Sequence, residues 1–395
     1  MKAIFISSID YESPIQIGDH HLARQFAING WHIAFISLPI TPFHFFSKNT
    51  ATIKRKFQNF NVGGCKYRIG KGTLWSYVPG AIIIPKNNGF MNLYLYQNWS
   101  KLIHPNIYRL LKQNGFADVD LVSIRDPLQA YILYSTRYKY SIYRIADNDA
   151  GFTNYNEHYA YMEKSLAKHV NLVLYTAQGL EQRVKQFNPN QLMYFPNGVD
   201  LQHFKNADKS NPPEYLGIKH PIAVYVGSID NWFNFDLLNK LTQELPDVSF
   251  VIIGPNSPLT NKLIRRKNLY YLGPIQYDEL PRYLLNADVG IIPFNVKNYP
   301  ELVNSINPIK LYEYLACDLP VVATKWVELT NIQSPAILCN TDEEFITSLR
   351  FVIGNRVEKQ KYQEFVEKFD WGILYNKLIQ KIGYSEEQIP LTENS

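Results

Sequence analysis

At 395 residues and 46% hydrophobic content, the chain is too long for one small core and long enough for two ordinary domains. Its net charge of +5 comes without a concentrated basic face or a nucleic-acid reading motif, which excludes nucleic acid as the expected partner and leaves anionic ligands open. Cys65, Cys317 and Cys339 are widely spaced and form no CxxC, which excludes a disulfide framework or structural zinc and suits a reducing compartment.

In chain order, Met1 to Ser8 is apolar over too short a run for a signal peptide, and no later stretch reaches the length of a transmembrane helix. The expectation is a cytoplasmic protein, at most peripheral at the inner face of the cell membrane. Ala3 to Ser7 reads as a strand, followed by a loop with Asp10 and Pro14 and a helix whose Leu22, Ala23, Phe26 and Ala27 share one face; Gly30 closes it. His32 to Leu38 is the next strand, giving the β-loop-α-β opening of a parallel sheet. The region 42–60 interleaves Phe43, Phe45, Phe46, Phe57 and Phe60 with Lys48, Lys54, Arg55 and Lys56. That mixture suits a membrane interface that holds a lipid diphosphate, or equally a core-facing helix with solvated lysines. His20 and His21 begin a helix without a metal-ligand partner at suitable spacing and read as structural.

Further strands at Leu121 to Ile124, Ser141 to Ile145, Leu172 to Tyr175 and Leu192 to Phe195 complete a Rossmann-like domain over 1–205. The same grammar restarts in a second domain over 206–369. Its first strand is Ile222 to Val226, with the turn Gly227-Ser228. Val248 to Ile253, Leu269 to Leu272 and Val289 to Pro293 follow as strands, then the helix Pro308 to Ala316 and the strand Pro320 to Ala323. Within 370–395, a closing helix with Trp371, Leu374, Leu378 and Ile382 is expected to pack back on the first domain, and the tail from Ser385 to fray. The fold class is therefore α/β, with two doubly wound sheets in tandem. Such sheets put ligand crevices at the carboxyl ends of their strands, facing each other across a cleft, so function is sought in strand-to-helix loops.

Neither GxGxxG after the first strand nor GxxxxGK[ST] anywhere is present, which weighs against a nicotinamide dehydrogenase or a P-loop nucleotidase. The informative stretch runs from Asn304 to Thr324. Pro308 suits the first turn of a helix whose free N–H groups and positive dipole end can hold a diphosphate, and Lys310 adds a point charge for the same phosphates. Glu313, one turn on, presents a carboxylate to the hydroxyls of a ribose. The plain alternative is a solvated Lys and Glu on an amphipathic helix. Asp147 follows the strand Ser141 to Ile145, at the edge where an acceptor hydroxyl would approach. Asp147-Asn148-Asp149 also spells DxD, a metal-chelating pattern in another fold; for Asp149 an ordinary helix-capping carboxylate is the plainer reading.

The sequence from Asn307 through Pro308-Ile309-Lys310 to Ala316, with the apolar strand after Pro320, resembles the donor-site helix of GT-B glycosyltransferases, including the large family-4-like group. Phe195-Pro-Asn-Gly-Val-Asp200 and Tyr225-Val-Gly-Ser-Ile229 are similar to that group as well. Within that fold, Asp10, Pro14 and Ile142-Tyr-Arg-Ile-Ala-Asp147 resemble the xanthan-type glucuronosyltransferases of bacterial surface polysaccharide assembly. The resemblance implies an inverting enzyme with Asp147 as general base. It places Gly227, Ser228, Ile229, Phe294, Asn307, Pro308, Ile309, Lys310 and Glu313 around a nucleotide sugar, UDP-linked in preference to GDP-linked. Asp10, Arg144 and Asp200 then belong to the acceptor side or the hinge, with Lys310 or Arg144 as the cation for a glucuronate carboxylate. The retaining family-4 pattern has a glutamate where Ser305 stands, and Glu301 lies too far upstream to replace it. The implied partners are that donor and a saccharide or lipid-linked saccharide acceptor, with membrane-surface contact through 42–60. Neither a bound metal nor a cofactor is required, since Asp147 and the Lys310 helix suffice. A sugar-nucleotide epimerase of the same fold and a non-catalytic glycan-binding scaffold are the competing readings.

Overall fold

The computed structural model describes residues 1–46, 50–85, 93–152, 155–255, 257–355 and 360–384, with the side chains of Phe45, Phe46 and Thr50 left out. Lys48 and the tail from Ser385 onward therefore lie outside the described residues. β1 (Lys2–Ser7) and β2 (His32–Ser37), with sequences KAIFIS and HIAFIS, pair in parallel with Ala3 beside Ile33 and Phe5 beside Phe35. Nearly every residue of both is buried, as strands covered on two faces require.

They form the middle of a sheet that also holds β3 (Cys65–Ile69), β4 (Gly72–Tyr77), β7 (Asp118–Ile124), β8 (Arg137–Ile145), β9 (Leu172–Tyr175) and β10 (Leu192–Tyr194). The order is β10-β9-β8-β7-β1-β2-β4-β3, parallel except for the β3–β4 hairpin at one edge. Lys66 and Arg68 project from β3 to solvent and blunt that edge against pairing with another chain. Two short strands, β5 (Gly80–Ala81) and β6 (Ile103–His104), pair with each other apart from the sheet.

The second sheet is wholly parallel and contains β11 (Ile222–Val226), β12 (Ser249–Ile253), β13 (Leu269–Gly273), β14 (Val289–Ile292), β15 (Val321–Thr324) and β16 (Ile337–Cys339), in the order β13-β12-β11-β14-β15-β16. In the first sheet the direction of winding reverses between β1 and β7, in the second between β11 and β14. A crevice opens at such a switch point because the flanking connections leave to opposite faces.

The chain divides into two units. The first comprises residues 1–176, 180–195 and 372–395; the second comprises 177–179 and 196–371. The divide thus falls at Pro196, earlier than the boundary at 205 read from the polar stretch, because Val199, Leu201 and Phe204 are buried in the second unit's core. The helix Trp371–Lys381 brings Tyr375 to the first unit. Its hydroxyl accepts from the buried Trp31 Nε1 at 3.1 Å, and its ring meets Phe26 edge to face at 4.9 Å. Tyr384 donates to the carbonyl of Asp120 at 3.1 Å in the same unit. Among the described residues no helix is long and apolar enough to cross a membrane.

Candidate functional site

In the second unit the loops after β11 and β14 flank the helix Ile309–Ala316. Lys310 stands between two aromatic faces, its Nζ 5.2 Å from the centre of the Tyr225 ring and 4.9 Å from that of Phe294. Such faces attract a cation but replace its hydration poorly. Burial accordingly pulls the Lys310 ammonium down to about 8, against the pull of Glu313. Burial pushes the Glu313 carboxyl up to about 7, against the pull of Lys310.

Gly227 takes a φ of +141°, open in practice to glycine alone, and a Cβ there would lie 3.2 Å from Lys310 Nζ. The absent side chain lets the β11 loop close over the lysine. Tyr225 is fixed by donating to the Ser228 carbonyl at 2.7 Å, and Val226 N donates to Tyr314 Oη at 2.7 Å. The result is one half-buried ammonium packed under Gly227, beside the start of a helix.

Several neighbours hold this frame. Pro308 caps the helix in an extended conformation instead of occupying its first turn, and its carbonyl accepts from Leu311 N at 3.1 Å. Asn307 is buried; its side chain donates to Glu328 at 3.3 Å and accepts from Tyr312 at 3.0 Å, so it fixes the approach to the helix. Ile229 and Phe294 are buried, and Thr324 accepts from Phe294 N at 2.7 Å. Ser228 offers its carbonyl to Tyr225. Asp200 caps the helix Leu201–Lys205 by accepting from His203 N at 3.1 Å.

In the first unit a cavity of about 430 Å³ opens at the carboxyl ends of β1, β2, β7 and β8, its lining including Ser8, Leu38, Arg125 and Asp147 from those four ends. Arg125 donates to Asp147 Oδ2 at 2.9 Å and lies 3.8 Å from Asp19. The Asp147 side chain is 28% exposed, so it is reachable from the cavity. Asp149 lines the same space and accepts from Tyr159 Oη at 3.3 Å. Burial pushes its carboxyl up to about 7, opposed by Arg125 and reinforced by the carboxylates of Glu163, Asp147 and Asp126. Tyr155, another lining residue, is anchored by donating to Glu163 at 3.0 Å and accepting from Arg183 at 3.2 Å.

The sequence singles out Asp147 and the Lys310 region; Lys310 stands beside the loops after β11 and β14, where the second sheet reverses, and Asp147 follows β8, one strand from the reversal between β1 and β7. Other assignments fall elsewhere. Arg144 is buried and donates to Asp19 at 3.2 Å, outside the cavity lining, so it is not poised to hold a sugar carboxylate. Asp10 is buried and held by Arg55 at 2.5 Å and 3.2 Å. His20 is buried against Phe35, with Nε2 3.1 Å from the Asp10 carbonyl. In the region 42–60, Lys56 lines the cavity while Phe43 and Phe57 are exposed. Sequence reading passed over Arg125, Asp126, Tyr155 and Tyr159. Arg125 carried the signal that found Asp147, since it follows the strand ending at Ile124; the tyrosines, on a loop and a helix, carried none.

Two Rossmann-like units with parallel sheets define the GT-B class of fold. Sucrose-phosphate synthase from Thermosynechococcus elongatus shares it with a TM-score of 0.67, over 97% of this chain and 98% of its own, at 15% identity. HepE (Alr3699) from Anabaena, solved with UDP and glucose, gives 0.64 over 97% and 99% at 14% identity. Residues 220–355, within the second unit, match the family Glycosyl transferases group 1. The putative teichuronic acid biosynthesis glycosyltransferase TuaH of Bacillus subtilis strain 168 is 26% identical over 202 residues, 47% of this chain and 49% of TuaH. The chain thus spans about half the length of the curated relative it matches.

Proposed function

We propose that the protein is a nucleotide-sugar-dependent glycosyltransferase of surface polysaccharide synthesis. It moves a sugar from a UDP-linked donor held by the second unit to a saccharide or lipid-linked saccharide bound in the first unit's cavity. The observation that carries this reading is Lys310, a half-buried ammonium between the Tyr225 and Phe294 faces, beside Gly227 and a helix start. A diphosphate gives this ammonium a fuller negative partner than Glu313, whose carboxyl burial pushes up to about 7. Glu313 takes the ribose hydroxyls. The family match over 220–355 and the UDP in HepE support the donor class.

The reaction we assign is a single displacement. Asp147, with Oδ2 held by Arg125, receives the acceptor's hydroxyl proton on Oδ1 as the acceptor oxygen bonds to the anomeric carbon. The bond from that carbon to the diphosphate oxygen breaks, UDP leaves with the electron pair, and Lys310 stabilises the developing charge. The configuration inverts because attack and departure lie on opposite faces of the sugar. No step calls on a metal. A lipid-linked acceptor would bring the protein to the cytoplasmic membrane face, where Phe43 and Phe57 offer apolar contact.

Calorimetry with UDP-, GDP- and other nucleotide sugars in EDTA, on the wild type, Lys310→Ala and Glu313→Ala, tests the donor assignment. Tight binding of one UDP-sugar, weakened in both variants, is expected; absence of binding to any nucleotide sugar would remove the reading.

A further inference from the structure

A second cavity in the first unit, about 490 Å³ in volume, lies against the cavity that holds Asp147, and the two share Tyr96 and Leu128 as a common wall. Its size falls within the roughly 300–1,000 Å³ of small-ligand sites. The two differ in charge. The Asp147 cavity is lined by three aspartates together with Arg125 and Lys56, whereas none of the described residues lining its neighbour is acidic and Lys101 supplies a cation. The rim is aromatic: Tyr108 is 50% exposed, Tyr134 83% and Tyr161 52%, while Trp99 is buried with its Nε1 donating to the carbonyl of Leu128 at 2.9 Å.

We infer that this second cavity is a binding site for an anionic oligosaccharide, the outer sugars of an acidic acceptor chain whose terminal sugar occupies the Asp147 cavity. The inference rests on the acceptor reading above and names the acceptor's class. Tyrosine rings give rigid flat area for the C–H faces of pyranose rings, and their hydroxyls stay available for polar contact. Lys101, with no acid among the described residues of the lining, complements carboxylates on the sugars. A concave wall suits a chain that enters a recess better than it suits a bilayer, whose surface is flat. Tyr96 and Leu128 line both cavities, so the two are near neighbours within the first unit.

The test is calorimetry of the full-length protein with oligogalacturonate of four residues and, in parallel, neutral cellotetraose. Wild type, Tyr134→Ala and Lys101→Glu are compared, and UDP affinity is measured on each preparation. Binding of oligogalacturonate in preference to cellotetraose, weakened about tenfold or more in both variants with UDP affinity unchanged, is expected. Oligogalacturonate binding that persists in both variants, or is absent in the wild type while UDP still binds, overturns the inference and leaves the donor reading standing. Oligogalacturonate binding with these losses but without UDP binding retains the saccharide site and removes the donor reading. Anionic phosphatidylglycerol vesicles held by the wild type and lost in both variants, with no saccharide binding, would assign the face to a membrane. A change in sedimentation of Tyr134→Ala, again without saccharide binding, would assign it to a second copy of the chain.

Discussion

Lys310 and Glu313 lie one turn apart on a helix and are pushed toward neutrality by the same loss of water, to about 8 and about 7. A bound diphosphate favours the protonated ammonium. UDP affinity is therefore expected to hold below pH 8 and to fall about tenfold per pH unit above it, as binding takes up a proton; calorimetry in buffers of different ionisation heat checks this. For folding, the two groups act in opposite directions. Between 8 and lysine's ordinary 10.5 the unfolded chain keeps a proton that folded Lys310 has lost, so this group's contribution to stability rises with pH there. Glu313 stabilises below its ordinary 4.5, and that contribution is lost as pH rises through about 7. Two of the three cavity aspartates, Asp147 and Asp149, are separated by substitution. Asp149, with its carboxyl near 7, is neutral in mild acid, so Asp149→Asn imitates that form and is expected to keep kcat within about threefold at pH 6. Asp147→Asn removes the proposed base and is expected to lower kcat by roughly 10² to 10⁴. Equal loss in both variants would count against the assignment of Asp147 alone.

Strands and helices were legible where the two faces of an element share one fate. β1, β2, β11 and β12 are near-continuous apolar runs, so their sequences announce them. The β3–β4 hairpin was not read, because Cys65–Ile69 alternates half-buried and exposed positions and carries Lys66 and Arg68. Pro308 was placed one position too far into its helix for a related reason: proline fixes φ near the helical value but leaves ψ free, and here ψ is extended at 117°. The donor site was half legible. Its lysine and glycine stand in a readable pattern, whereas the aromatic enclosure joins Tyr225 of β11 to Phe294 just past β14 and exists only once the sheet has formed. At this scale Gly227→Ala is expected to cost about 1–3 kcal/mol, from the positive φ and the approach to Lys310, and to weaken UDP binding as the loop retreats. Urea unfolding and calorimetry on one preparation separate the two effects. Tyr375→Phe strands the buried Trp31 Nε1 without its acceptor and should cost about 1–3 kcal/mol in the same unfolding measurement.

At the scale of the whole chain, composition and the repeated strand-helix grammar foretold two Rossmann-like units, but not where one core ends. That depends on which side Val199, Leu201 and Phe204 choose, and an apolar residue in sequence does not say. A UDP concentration one hundred times its Kd is expected to stabilise the folded state by about 2.7 kcal/mol, with added hydrogen-exchange protection concentrated in residues 196–371. The helix Trp371–Lys381, which supplies Tyr375 to the first unit, also bears on the order of synthesis. A ribosome moving along this message makes the first 195 residues, then all of the second unit, and only then the segment that covers Phe26 and Trp31. Until that segment emerges, the nascent first unit carries an uncovered apolar seam while its neighbour can already fold. Stalled chains ending at Trp371 should therefore hold chaperones that chains released past Tyr384 have shed.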